Sequence, residues 1–196
     1  MILRYKTQDL VFSEVKLIFS NKTFSNVFAD KNNKSLLETI NSIKYKKFES
    51  EVINKYTEFL DWPLGKFILK LKNEHDNFYL NFLNKYGDKT YCHFKINDEF
   101  YGHEKGIYTY FIDSNLKYIG RSLDPFKKRV NYGYGKIHPK NCYIDGQATN
   151  CHLNYLITKV KYIIKFAVLT LNNYDEIKNI EKELIFQYKP EWNLQF

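Results

Sequence analysis

The sequence predicts an α+β fold, in which a few short strands form a sheet flanked by helices. The first observation is a pair of β-rich segments, residues 106–112 and 116–120, separated by turn-forming residues. The second is an apolar segment at 163–171, which is typical of a third, buried strand. The third is the helical spacing of apolar residues within 149–160 and 173–189. These observations place three strands and two helices in the C-terminal half.

The N-terminal half is predicted to be a mainly helical extension. Apolar and polar residues nearly alternate over residues 1–30, which favours one or two strands there. From Ser35 the apolar residues recur at intervals of three and four until Pro63, which is typical of helices. The chain contains no repeat and no low-complexity linker, so we expect its halves to pack together. We predict two domains, at residues 1–100 and 101–196.

The first two strands form a predicted hairpin that presents two tyrosines. If its turn is centred on Ser114, Tyr110 lies opposite Tyr118 and Tyr108 lies opposite Gly120. Tyr108 and Tyr118 then share one face of the sheet. A turn shifted by one residue would place them on opposite faces.

A short helix is predicted directly after the hairpin. Asp124 is a favourable N-cap residue and Pro125 a favourable first helical residue. Arg129 then lies within this helix.

Positive charge is concentrated in this part of the chain. The formal net charge is +8 and the isoelectric point is about 9.1, which favours a polyanionic partner such as DNA. Residues 117–140 contain seven basic residues and one acidic residue, Asp124. The basic residues are Lys117, Arg121, Lys127, Lys128, Arg129, Lys136 and Lys140. We predict that the five lysines among them contact DNA.

Composition also bears on the cellular compartment. The three cysteines include no CxxC pair, so neither a disulfide framework nor a zinc ribbon is indicated. The first residues lack the apolar region of a signal peptide. The longest apolar run, residues 162–171, is interrupted by Lys165 and is too short to cross a bilayer. We therefore expect a reduced cytoplasmic protein that does not associate with a membrane.

Glu181 lies on the apolar face of the last predicted helix, which begins after the capping residue Asn173. At 100° per residue it is about 40° from Ile177 and from Ile185. The apolar face consists of Ile177, Ile180, Leu184, Ile185 and Tyr188. A carboxylate on a packed face is costly unless it is compensated. Two interpretations follow: a salt bridge to a lysine or arginine, or a ligand for a hard metal ion such as Mg²⁺.

Five elements in order resemble the GIY-YIG nuclease superfamily. They are Gly106-Ile107-Tyr108, Tyr118-Ile119-Gly120, Arg129, Glu181 and the segment 190–193. The resemblance covers residues 105–196, and the end of the chain is similar in spacing to that of the repair nuclease UvrC. It selects Glu181, rather than Glu183, as the metal-binding glutamate. It implies a small antiparallel three-stranded sheet flanked by helices.

The resemblance implies Mg²⁺-dependent hydrolysis of DNA phosphodiester bonds, in which Mn²⁺ can substitute for Mg²⁺. Glu181 would hold the metal ion. Two departures from the family pattern stand out. The spacing from Tyr118 to Arg129 is one residue longer than in UvrC-like members. Many members also have His or Tyr four residues after the arginine, where this chain has Gly133; the flanking Tyr132 and Tyr134 are both candidate substitutes.

The remaining catalytic residues are assigned through the same resemblance. Arg129 and Arg121 would neutralise charge that develops on the phosphate. Tyr108, assisted by Tyr118, would position or deprotonate the attacking water. To act as a base at neutral pH, the phenol needs a neighbouring cation that lowers its pKa, a role that Arg121 could fill. Asn193 would hold the end of the last helix near the metal ligand.

The biological role is predicted from the sequence that precedes the motifs. Such an addition resembles small restriction endonucleases of the superfamily, which cut as homo-oligomers. We therefore expect a sequence-recognising restriction enzyme, in which residues 1–100 recognise DNA or bind a partner. The alternatives are a nuclease toxin, effector or mobile-element nuclease, and a DNA-binding module without catalytic activity.

Overall fold

A computed structural model describes residues 1–194 and shows a mixed α/β protein with antiparallel sheets. The strands are β1 (Ile2–Tyr5), β2 (Gln8–Val11), β3 (Ser13–Val15), β4 (Leu17–Phe24), β5 (Tyr91–Ile96), β6 (Gly106–Ile112), β7 (Asn115–Ser122) and β8 (Ile164–Thr170). The helices are α1 (Leu36–Ile40), α2 (Glu49–Lys55), α3 (Leu64–Asn73), α4 (Phe126–Arg129), α5 (Ala148–Val160) and α6 (Tyr174–Tyr188). Within residues 1–194, no helix is both long and apolar enough to cross a membrane.

The chain forms two compact units that are interleaved along the sequence. The first unit contains residues 1–22, 92–136 and those from 156 onwards, and the second contains 23–91 and 137–155. This division differs from the predicted boundary at residue 100. The physical reason is that the first strands pack with the C-terminal sheet, whereas the loop after residue 136 packs with the helices of the second unit.

The sheet of the first unit has four strands in the order β3-β8-β6-β7. The three predicted strands are present as β6, β7 and β8. The prediction of a three-stranded sheet is wrong by one strand, because β3 pairs antiparallel with β8. The first 24 residues also contain more strands than predicted, since β1 and β2 form a hairpin and β4 pairs with β5.

The register of the β6–β7 hairpin is the one predicted. Tyr110 lies opposite Tyr118 and Tyr108 opposite Gly120. Nearer the turn the register shifts by one residue, so that Ile112 pairs with Asn115. This bulge allows a two-residue turn without moving either tyrosine of the motif to the other face.

Helix α6 packs on the opposite face of this sheet. Asn173 caps the helix as predicted, because its side chain accepts hydrogen bonds from the backbone N–H groups of Asp175 and Glu176. The core between α6, the β1–β2 hairpin and the sheet is built from buried apolar side chains. It includes Leu3, Phe12, Ile107, Ile119, Ala167, Ile177, Ile180 and Leu184.

The second unit has a separate core rich in aromatic side chains. Ser35 and Glu38 form a capping box at the start of α1, and Pro63 immediately precedes α3. The aromatic rings of the core pack closely, as in the stacked pair Tyr45 and Phe82. Other members of this core are Phe28, Leu36, Ile40, Val52, Leu64, Phe67, Ile68 and Tyr143.

Candidate active site

Tyr108 and Tyr118 lie side by side on one face of the sheet. Tyr108 belongs to β6 and Tyr118 to β7, and their ring centroids are 5.9 Å apart. Their exposed fractions are 1% and 7%. The prediction that Tyr108 and Tyr118 share one face of the sheet is therefore confirmed. Burial raises the pKa of Tyr118 well above its ordinary value, so Tyr118 is a poor proton acceptor.

Arg129 reaches back from α4 to the hydroxyl of Tyr108. Its Nε donates a hydrogen bond to the Tyr108 hydroxyl oxygen at 3.3 Å, and its guanidinium carbon lies 5.2 Å from the ring centroid of Tyr134. Interaction with the Tyr108 oxygen, opposed by burial, raises the pKa of Arg129 above its ordinary value. The helix begins after Pro125, but Asp124 does not cap it and instead pairs with Lys128 at 2.9 Å.

The chain continues from α4 into a π-helical turn at Val130–Tyr134. The N–H of Gly135 donates to the carbonyl of Val130, five residues earlier. One extra residue in the turn brings Tyr134, rather than Gly133, onto the Tyr108 ring, with centroids 6.0 Å apart and planes 28° apart. Tyr132 points outward and is 83% exposed. Of the two tyrosines that flank Gly133, Tyr134 is thus the one in the site.

Tyr110 completes an aromatic cluster with Tyr108, Tyr118 and Tyr134. Its hydroxyl donates to the hydroxyl oxygen of Tyr134 at 3.0 Å, and burial raises the pKa of both groups well above the ordinary value. Sequence reasoning missed Tyr110, although its position two residues after Tyr108 places it on the same face. Tyr110 and Tyr134 therefore fix the surroundings of the Tyr108 ring.

Glu181 forms an ion pair with Arg121 of β7. The side chain of Glu181 is 14% exposed and that of Arg121 is 43% exposed. Burial raises the pKa of the Glu181 carboxyl, and the charge of Arg121 opposes this increase. The prediction that Glu181 faces the packed side of its helix is confirmed. The expected arginine partner is present as well, while metal binding stays a prediction.

The ion pair and the tyrosine group belong to one electrostatic site. The positive charge of Arg129 also lowers the pKa of the Glu181 carboxyl, whereas the negative charge of Glu181 raises that of Tyr118. Interactions of this kind act over short distances in partly buried surroundings. The Arg121–Glu181 pair and the Arg129–Tyr108 pair, which come from four different elements, therefore influence one another electrostatically.

Asn193 joins the segment after α6 to strand β7. Its side-chain oxygen accepts from the backbone N–H of Ile119 at 3.0 Å, and its side-chain nitrogen donates to the carbonyl of Ile119 at 2.8 Å. The N–H of Trp192 also donates to the carbonyl of Lys117 at 2.9 Å. Asn193 therefore holds the end of α6 against the strand that carries Tyr118 and Arg121, which places it in a positioning role.

The predicted DNA-binding lysines do not form a single group. Three of them contact exposed carboxylates: Lys117 with Glu191 at 2.7 Å, Lys127 with Glu99 at 3.7 Å and Lys128 with Asp124 at 2.9 Å. Ion pairs at such surfaces are weak, so they leave these lysines available to a phosphate. Lys136 is exposed in the first unit, whereas Lys140 belongs to the second unit. The basic segment 117–140 is therefore divided between the units.

The donor set fits a divalent ion held by one carboxylate together with a phosphate and waters. Within residues 1–194, no group of three or more His, Cys, Asp or Glu side chains is arranged to hold a metal ion by itself. Glu181 is mostly buried and paired with a half-exposed arginine, so movement of Arg121 would free a carboxylate oxygen for a hard cation.

Comparisons of the chain with protein-family models, with curated proteins and with solved structures found no match. The chemistry assigned to this site therefore rests on the motifs and on the side-chain arrangement described above.

Proposed function

We propose that the protein is a Mg²⁺-dependent DNA endonuclease of GIY-YIG type, whose core sheet β8-β6-β7 carries the extra edge strand β3. The observation that carries the proposal is the presence of two pairs around strands β6 and β7, the hydrogen bond from Arg129 to Tyr108 and the ion pair of Arg121 with Glu181. These residues supply a phenol oxygen, one positive charge held against it, a second positive charge on the half-exposed Arg121, and a carboxylate. This combination suits phosphoryl transfer, in which the main task is to orient the nucleophile and offset negative charge.

Tyr108 is the group that positions the attacking water. Arg129 Nε donates a hydrogen bond to its phenol oxygen. Arg129, rather than Arg121, is thus the cation that contacts this oxygen. Tyr118 packs beside the Tyr108 ring. Because burial keeps the Tyr118 phenol protonated, we assign Tyr118 to positioning rather than to proton abstraction.

Glu181 and Arg121 act on the scissile phosphate. A Mg²⁺ ion held by Glu181 would supply Lewis-acid stabilisation of the leaving oxygen. Arg121 is half exposed, so it can move from the carboxylate to a non-bridging phosphate oxygen, where the guanidinium geometry is favourable. Asn193 holds the strand of Arg121 and the end of α6 together.

The substrate is proposed to be duplex DNA, cut at a recognition sequence by a homo-oligomer in the cytoplasm. The net charge of +8 and the exposed lysines of the first unit support a polyanionic substrate. Within the extension predicted at residues 1–100, residues 23–91 form most of the second unit, and they are proposed to recognise DNA or a partner.

The direct test is cleavage of supercoiled plasmid DNA by the purified chain with Mg²⁺ and with EDTA. We expect Mg²⁺-dependent nicking or linearisation, with loss of cutting but retention of DNA binding in Glu181→Ala. Glu183→Ala is the matched control, since Glu183 lies on the exposed side of α6 and pairs with Lys6. Wild-type turnover by Glu181→Ala would contradict the proposal. Sequencing the cut ends tests the restriction role separately, because random ends would remove that role and leave the nuclease.

A further inference from the structure

The second unit contains a cavity of about 530 Å³ with an unusual concentration of lysines. It lies between the loop that precedes α1 and the loop that follows residue 137. We call it the lysine cavity; its lining residues include Lys31, Lys34, His138, Lys140, Asp30 and Asp145. None of these residues takes part in the proposed cleavage reaction.

Lys31 is buried beside this cavity, and the carboxylate that pairs with it, on Asp145, lies at the long end of ion-pair distance. Its side chain is 8% exposed, and the nearest carboxylate oxygen, on Asp145, is 3.8 Å from its ammonium nitrogen. That oxygen instead accepts a hydrogen bond from the Tyr45 hydroxyl at 2.6 Å. The ammonium nitrogen lies 4.1 Å from the ring centroid of Tyr143, which offers a favourable face but no strong hydrogen-bond acceptor. A buried ammonium in this setting is incompletely compensated.

Like charges add to the imbalance. Burial lowers the pKa of Lys31, Asp145 opposes this change, and the charges of Lys140 and Lys34 lower it further. The ammonium groups of Lys34 and Lys140 each repel that of Lys31. The backbone N–H of Lys140 donates to Nδ1 of His138 at 3.2 Å, so the neutral imidazole carries its proton on Nε2 and can donate from there.

Backbone hydrogen bonds tie the loop that carries Lys31 and Lys34 to the start of α3. The carbonyl of Lys31 accepts from the N–H of Gly65 and that of Lys34 accepts from the N–H of Leu64, each at 3.0 Å. The Tyr143 ring below Lys31 is fixed by a hydrogen bond from its hydroxyl to the carbonyl of Phe28 at 2.8 Å. The cavity is thus built before any ligand arrives, which reduces the entropy cost of binding.

We propose that the lysine cavity binds a phosphate group, with Lys31 as the buried anchor and Lys34, Lys140 and His138 as donors at the rim. A phosphate offers several charged acceptor oxygens in a small volume, so one group can meet several donors at once. It would offset the repulsion that Lys34 and Lys140 exert on Lys31 and give the Lys31 ammonium a second anionic partner beside Asp145. The phosphate could come from a nucleic-acid backbone or from a small phosphate monoester, and the two sources are separable.

The test measures binding in the absence of Mg²⁺, so its outcome is independent of cleavage. Inorganic phosphate and a short DNA duplex are titrated into the wild-type chain, Lys31→Met and Lys34→Met. Loss of one charge-assisted hydrogen bond should weaken binding by roughly tenfold to a hundredfold in Lys31→Met. Lys34→Met should also bind more weakly than the wild type. Lys44→Met removes an exposed lysine of the same unit outside the cavity and should bind as the wild type does.

The two probes identify the source of the phosphate. Weaker duplex binding in Lys31→Met, without binding of inorganic phosphate, assigns the site to a nucleic-acid backbone. Weaker binding of inorganic phosphate, with duplex binding unchanged, assigns it to a small phosphate monoester. The proposal is overturned if both Lys31→Met and Lys34→Met bind both probes as the wild type does, or if Lys44→Met loses as much affinity as they do. Lys34→Met, at an exposed position, keeps the test valid if Lys31→Met does not fold.

Discussion

The Nε of Arg129 lies 3.3 Å from the hydroxyl oxygen of Tyr108. This contact joins a helix that follows the hairpin to the first strand of that hairpin. The guanidinium carbon also lies 5.2 Å from the centroid of the Tyr134 ring, so two tyrosines contact this side chain. A fixed positive charge beside a phenol oxygen is the feature that distinguishes this group of tyrosines from an ordinary aromatic core.

Arg129→Lys should abolish most of the activity although it keeps the charge. A lysine ammonium cannot reproduce the planar packing on Tyr134 or the Nε donor at Tyr108. Removal of one fixed donor that stabilises a transition state typically lowers kcat by roughly 10²–10³-fold. Single-turnover cleavage with saturating enzyme is the measurement. Arg4→Lys, at an exposed arginine paired with Asp9, is the control, and equal rates for the two variants would contradict the role of Arg129.

Glu181→Gln should make the protein inactive but more stable at neutral pH. Burial raises the folded-state pKa of Glu181 above its ordinary value of 4.5. A carboxyl whose pKa is raised in the folded state favours folding while it is protonated. This contribution to the free energy of unfolding is lost as the pH rises from the unfolded pKa through the folded pKa. The Tm of Glu181→Gln should therefore exceed that of the wild type at pH 7, by roughly 2–4 °C per kcal/mol, and match it below pH 4.5. A less stable Glu181→Gln at pH 7 would show that the Arg121 ion pair outweighs burial.

Tyr134→Phe should destabilise the chain and reduce cleavage, whereas Tyr132→Phe should change neither property. Tyr134→Phe removes the acceptor of the Tyr110 hydroxyl in a fully buried setting, which costs roughly 1–3 kcal/mol. Tyr132 is exposed. Urea unfolding monitored by fluorescence gives the free energy of unfolding of each variant. If the two substitutions have equal effects, Tyr134 has no special place in the site.

Combining Tyr110→Phe with Tyr134→Phe should restore part of the lost stability. The double variant leaves neither hydroxyl of this pair buried without its partner, and apolar replacement of both partners is often nearly neutral. A double-mutant cycle on the free energy of unfolding checks this expectation. Strict additivity of the single losses would show that the two hydroxyls are not coupled.

Asn193→Ala should loosen strand β7 at Ile119. The substitution removes both side-chain hydrogen bonds to that residue. Hydrogen exchange measured by NMR should become faster at the Ile119 amide, with smaller changes in β8. Asn179→Ala, on the exposed surface of α6, is the control. An unchanged exchange rate at Ile119 would argue against a positioning role for Asn193.

Local features of this fold were readable from the sequence. The register that unites Tyr108 and Tyr118 follows from strand alternation and turn composition, and both act over a few residues. The orientation of Glu181 follows from the helical period. Its arginine partner was also foreseeable in kind, since a buried carboxylate requires compensation.

Other features depend on contacts that no short pattern encodes. The π-helical turn that selects Tyr134 changes the spacing by one residue, and the sequence pattern gave no sign of it. The pairing of β3 with β8 joins segments from opposite ends of the chain. The interleaving of the two units has the same origin, because the composition of residues 1–22 does not indicate which partner covers them.

The pairing of β3 with β8 also governs the order in which the protein can mature during translation. About 150 residues separate the two strands, so at 5–20 residues per second β3 waits roughly 8–30 s for its partner to be made. During this interval Phe12 and Val15, buried in the finished protein, are exposed beside an unpaired strand edge, which is a recognised hazard for aggregation. Completion of β8 is therefore the step that covers the apolar residues of the first strands.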